Sequence, residues 1–218
     1  MANYRHAFLA AVAISFAAHG QDPSTKTTTD PIPSVNASCT HDRNALLSLE
    51  EQAFDQDVSN GGGGWRAVDA IPGCAAVAAD LIRDYRIKHK SASRILAWHE
   101  GQLRAGIGEV DKAIALMEAS RKPPDEDLTG WNPYVDATIA FLRKDRDALL
   151  ASREKLASTP PAKDLPPVRD GYIELPLNDN QVMKTRWPQN IDVVDGLVRC
   201  FGKEYTIAYS NACRNASP

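Results

Sequence analysis

The stretch 92–121, ASRILAWHEGQLRAGIGEVDKAIALMEASR, constrains this chain more than any other. Ile95, Trp98, His99, Gln102, Leu103 and Gly106 recur at helical spacing, and Val110, Ala113, Ile114 and Met117 mark one face of a second helix. Gly106 and Gly108 break the pattern between them. Neither apolar stripe can leave water unless the two segments fold back on each other, so the spacing predicts an antiparallel helical hairpin.

A chain of 218 residues is long enough for one domain with a real core. Its first residues belong to another category. Arg5 and His6 precede an apolar run from Ala7 to Ala18, and Ala18-His19-Gly20 offers the small residues that a signal peptidase reads. The run is about 12 residues, whereas a membrane span needs about 20. Residues 1–20 are therefore expected to be a cleaved secretory leader. No cysteine follows closely enough for a lipid anchor, so the product is expected to be exported, periplasmic or secreted, with no stable membrane anchor. The net charge of −3 becomes one unit more negative when Arg5 leaves, and no Lys/Arg cluster offsets it, which argues against a nucleic-acid partner.

The four cysteines, Cys39, Cys74, Cys200 and Cys213, are even in number and sit in a chain read as exported, which favours disulfides. Three pairings are possible. Cys39 with Cys74 and Cys200 with Cys213 is the favoured one, because each pair lies within one end of the expected fold. Their wide spacing, without a C-x-x-C pair, speaks against a metal site.

Residues 21–38, rich in Thr, Ser and Pro, read as a flexible spacer. A helical-hairpin domain is expected over 39–158. It opens with a helix through Leu46, Leu49, Ala53 and Phe54, capped by Asp42 and ending before Asn60. The run Gly61 to Gly64 lacks the Lys-Ser/Thr of a phosphate loop and reads as a flexible connection. Cys74, Val77, Ala78, Leu81, Ile82 and Tyr85 form the next stripe, followed by a basic connector from Arg86 to Lys90. Beyond the central hairpin, Pro123 to Gly130 is an acidic loop. A third hairpin then rises through Tyr134, Ala137, Thr138, Phe141 and Leu142 and returns through Ala148, Leu149 and Leu156. Over 159–218 the sequence predicts a Pro-rich connector and an extended stretch from Gly171 to Pro188, with a short strand at Tyr172 to Leu175. A last helix follows, capped by Asn190, striped by Val194, Leu197, Val198 and Phe201, and closed by Gly202. The expected fold class is all-α: stacked antiparallel hairpins with an irregular, disulfide-pinned C-terminal cap and Trp187 filling the open edge.

The central hairpin resembles the tetratricopeptide unit, a helix-turn-helix repeat of about 34 residues. Gly101 falls at the small residue of the first helix, Gly108 at the turn, Ala113 at the small residue of the second helix and Met117 at its large apolar position. The likeness covers 94–121 well and its neighbours loosely. Trp98 sits one place beyond the motif's aromatic, Arg104 replaces the second aromatic, and Lys144 and Asp145 stand where the third hairpin would need its glycine. A helical hairpin in an unrelated all-α domain is the alternative. The resemblance implies a TPR-like superhelix whose inner, ligand-facing side carries Trp98 and Gln102 in the central unit and Trp131, Tyr134 and Thr138 in the next. Trp98 and Tyr134 read equally well as core aromatics between stacked hairpins.

Catalytic signatures are missing from the sequence. His99-Glu100 opens the zinc-protease motif, but the second histidine is replaced by Leu103, so no metal is expected. No nucleophile elbow, dinucleotide fingerprint or haem motif appears, and no cofactor is expected. The first functional reading is a non-catalytic exported protein that binds a polypeptide or envelope component. The second is an envelope-polymer hydrolase using His99 and carboxylates such as Glu100, Asp111, Asp136 and Asp195, and the third is a purely structural envelope protein.

Overall fold

The computed structural model describes residues 38–59, 62–161, 163, 165–178 and 181–214. The expected leader and all of the expected spacer except Ser38 lie outside the described residues, as does Gly61 of the glycine run.

Helix follows helix for most of the chain. After α1 (Arg43–Leu46) and a π-helical turn (Gln52–Gln56) come α2 (Gly64–Asp69), α3 (Ala75–Lys88), α4 (Arg94–Gly106) and α5 (Val110–Ala119). Next are α6 (Trp131–Leu142) and α7 (Arg146–Ala157), then a two-stranded antiparallel sheet of β1 (Tyr172–Asn178) and β2 (Gln181–Arg186). Three helices, α8 (Ile191–Arg199), α9 (Tyr205–Tyr209) and α10 (Asn211–Arg214), complete the described residues. Helices α4 and α5 pack along each other, as do α6 and α7, and the turns joining them are short, so both pairs are antiparallel hairpins.

Local chemistry accounts for most boundaries. The Asp42 side chain accepts from the Ala45 amide, as a cap should. The helix expected to continue through Phe54 and end before Asn60 nevertheless stops at Leu46. The Leu47 carbonyl is taken by Lys88 and His89 and the Leu49 carbonyl by the Tyr85 hydroxyl, all from α3 or just after it, so tertiary bonds replace the helical ladder. The expected connector from Arg86 is likewise corrected, because α3 continues to Lys88. Asp127, in the acidic loop, caps α6 by accepting from the amides of Trp131 and Asn132. At the next turn Lys144 takes the left-handed conformation (φ 58°) that Gly108 takes in the central hairpin, and Asp145 caps α7. That pair of residues does the work of a turn glycine.

The buried apolar side chains form two large clusters that meet at α4. One holds Phe54, Trp65, Leu81, Ile82, Tyr85, Leu96 and Leu103, and the other runs from Trp98 through Met117, Tyr134 and Leu149 to Val194, Leu197, Tyr205 and Tyr209. Every residue of α4 from Leu96 to Ala105 is buried. Gly101 permits the close α4–α5 approach, since a Cβ there would lie 3.2 Å from Met117 Cγ and 3.3 Å from the Ala113 carbonyl oxygen.

The C-terminal part departs from expectation. The short strand is one arm of a hairpin in which Glu174 faces Lys184 and Leu175 faces Met183. Ile173, Leu175 and Trp187 make a small cluster of their own, and the Trp187 indole donates to the Thr159 carbonyl just past α7. The helix expected to be the last, α8, ends at Arg199 with α9 and α10 after it, and Asn190 adopts a left-handed conformation without a side-chain cap bond, because Ile191 begins the helix from a turn. Gly202 opens the turn into α9, which the sequence reading did not anticipate.

Both disulfides pair as favoured, Cys39–Cys74 and Cys200–Cys213, with sequence separations of 35 and 13. No helix among the described residues is long and apolar enough to cross a membrane. In the chain-entropy picture the longer loop restricts the unfolded chain more, by about 0.9 kcal/mol. Replacing Cys39 and Cys74 together by serine is therefore expected to lower stability more than the same change at Cys200 and Cys213. Chemical denaturation of the two double variants checks the order.

Candidate functional site

The five residues placed on an inner face by the repeat likeness are all buried, Trp131 being the most exposed at 8 %. Trp98, Trp131 and Tyr134 are brought together in one aromatic cluster, with Trp98 centred 5.0 Å from Trp131 and 4.8 Å from Tyr134. The Trp131 indole donates to the Ser120 carbonyl. Thr138 turns back to donate to the Tyr134 carbonyl one turn earlier on its own helix. Gln102 lies one turn further along α4, beside the hydroxyls of Tyr205 and Tyr209. Tyr209 in turn meets the Tyr134 hydroxyl at 3.1 Å. The expected open face is thus corrected to a core. Its physical cause is the C-terminal segment, whose helix α9 lies over α4 and α6 and takes up their apolar surface.

Burial pushes the Tyr134 and Tyr205 hydroxyls well above their ordinary pKa, with Tyr209 adding to the effect, so both remain neutral.

His99 does have a charged partner, and the sequence reading missed it. Its Nδ1 lies 2.7 Å from an Asp55 carboxylate oxygen, and the two residues are 2 % and 0 % exposed. The same carboxylate oxygen accepts from the Trp65 indole at 2.7 Å, and Gln56 also donates to this carboxylate. Arg66 lies over the Trp65 ring and donates to the Asp55 backbone carbonyl. Burial works against the Asp55 charge, but the bond and charge of His99, the Trp65 bond and the Arg66 charge outweigh it and hold the carboxyl below its usual range. The π-helical turn aims Asp55 inward.

Glycines make this arrangement possible. Gly64 has φ 56°, and a Cβ there would collide with the Phe54 carbonyl, so this glycine, expected in a flexible connection, instead permits close backbone approach beside the π turn. An aspartate orienting a histidine is a common catalytic pairing, yet here both partners are sealed from solvent, which leaves a substrate no place beside the imidazole.

The other carboxylates in the hydrolase reading are dispersed. Glu100 pairs with Arg86 at 2.7 Å, in a network that continues through Arg104 to Asp80 and Glu109. Burial opposes the Arg104 charge, but bonds to Asp80 and Glu109 more than compensate and raise its pKa. Asp136 pairs with Arg121 and Asp195 with Arg153, at separate places. Among the described residues, no group of three or more His, Cys, Asp or Glu is gathered to hold a metal ion.

An accessible recess lies elsewhere among the described residues. At one end of the hairpins the α4–α5, α6–α7 and α8–α9 turns converge on a cleft of about 380 Å³. Its walls are Ile107, Val110, Phe141, Leu142 and Tyr205, and Lys144, Lys203 and Glu204 also line it. The volume falls within the range of small-molecule pockets. No sequence pattern announced it, because it is assembled from three turns far apart in the chain.

No protein-family model, curated protein or solved structure matches this chain.

Two expectations follow from the buried groups. Trp98→Ala is expected to cost about 4 kcal/mol in chemical denaturation, because it empties the centre of the aromatic cluster. Asp55→Asn is expected to cost about 3 kcal/mol near neutral pH, since one amide oxygen cannot serve the donors that the carboxylate serves. Asp55 has a lowered folded pKa, so its contribution is present above the unfolded value of about 3.9 and fades as pH falls through the folded one. The stability gap between wild type and Asp55→Asn should therefore close in acid, as paired denaturation curves at descending pH would read out.

Proposed function

We propose that the chain is a non-catalytic, exported helical-repeat protein, similar to a tetratricopeptide stack, that binds a polypeptide or other envelope component at the turn-end cleft. The cleft is the observation that carries the reading: three turns supply an open recess with apolar walls and charged residues among its lining, which suits capture. The two disulfides suit an oxidising compartment, and the antiparallel hairpins suit a rigid scaffold that presents turns at one end. Sealed burial of Asp55 and His99 weighs against hydrolysis as the first reading.

The 2.7 Å Asp55–His99 contact is the specific observation that favours the second reading, an envelope hydrolase. That reading needs an opening movement to admit both substrate and water. A purely structural protein would need neither.

Immobilised full-length protein incubated with envelope extract is expected to retain a reproducible component that free wild-type protein competes away. Val110→Trp, which fills the cleft from the first residue of α5, is expected to lose that component while its thermal unfolding stays close to wild type. Turnover of envelope polymer that disappears in His99→Gln would establish the hydrolase instead. If neither capture nor turnover is found, the structural reading takes precedence.

A further inference from the structure

Among the cleft's lining side chains there is no amide, no aliphatic hydroxyl and no imidazole. Ile107, Val110, Phe141 and Leu142 supply hydrocarbon surface, and Ile107 remains 37 % exposed. A peptide entering such a recess would bring backbone amides, and the lining side chains offer few groups to satisfy them. An alkyl chain brings none.

Charge defines the other end of the ligand. Lys144 and Lys203 line the cleft from two different turns, are exposed, and form no ion pair among the described residues. Glu204, the remaining charged lining residue, pairs with neither. The three turns join helix C-termini to helix N-termini, so the macrodipoles of successive helices offset one another and the side chains set the sign. The lining is net positive.

We infer that the cleft binds a short unbranched alkyl carboxylate, its tail on Ile107, Val110, Phe141 and Leu142 and its carboxylate between Lys144 and Lys203. This rests on the binding reading above and names the ligand chemistry for it. Tail burial supplies affinity, and the lysines supply the preference for an anion.

Titration calorimetry of the full chain with sodium alkanoates from butanoate to decanoate tests the inference. Affinity is expected to rise about fourfold with each added methylene, equivalent to about 0.8 kcal/mol, and to stop rising once the cleft is full. The matching alcohol and the matching alkylamine are each expected to bind about fivefold more weakly than the carboxylate. Lys144→Gln with Lys203→Gln should erase that preference and keep the dependence on chain length. Val110→Trp should remove binding altogether, and circular dichroism of both variants checks that they are folded.

Two results would overturn the proposal: no saturable heat with any alkanoate, whether or not a peptide with an apolar C-terminal residue binds saturably, or equal binding of the alkylamine. If alkanoates fail while Val110→Trp still abolishes envelope capture, the ligand class is wrong and the binding reading stands. If capture is absent as well, both fall.

Discussion

The structure depends on burying one helix on every side. From Leu96 to Ala105, α4 has no solvent face, although it carries His99, Glu100, Gln102 and Arg104. An unpaired charge in that position would cost several kcal/mol, so each polar residue must find its partner at the moment the helices pack. His99 finds Asp55 in the N-terminal part, Glu100 and Arg104 find Arg86 and Asp80 on α3, and Gln102 lies beside Tyr205 and Tyr209 near the C-terminus. One helix thus ties together three distant parts of the chain. Its apolar residues divide the same way, with Leu96 and Leu103 in one cluster and Trp98 and Ala105 in the other.

That arrangement explains why the residues most suggestive of function are buried. Trp98, Trp131 and Tyr134 bury their rings against one another, and Tyr134 also meets Tyr209 of α9, while Asp55 and His99 form a hydrogen-bonded joint between a π-helical turn and α4. Aromatic and ionisable residues serve binding and catalysis only when something can reach them. Here tertiary packing seals them, and the exposed chemistry lies where the turns end. On such a scaffold the accessible side chains are those of the loops, whose backbone positions the helices hold.

Much was legible in the sequence because it depends on short-range spacing. The stripes of α3 to α7 follow from apolar residues three and four apart, and the disulfide pairing follows from cysteines that lie at the same end of the chain. Other features resisted. The helix begun at Arg43 breaks because α3 side chains claim the Leu47 and Leu49 carbonyls, which no local pattern reveals. Asp55 is 44 residues from His99, and Tyr209 is 75 from Tyr134. Nothing in those intervals marks either pair.

The sequence by itself determined that this chain would be mostly helical, with hairpins about its central glycines and cross-links near its ends, since helix periodicity and turn chemistry act over a few residues. Tertiary structure alone decided which faces survive as surface. A helical stripe shows only that a face must be covered, and the choice between a partner and the chain's own C-terminal segment was made by α9 settling over α4 and α6.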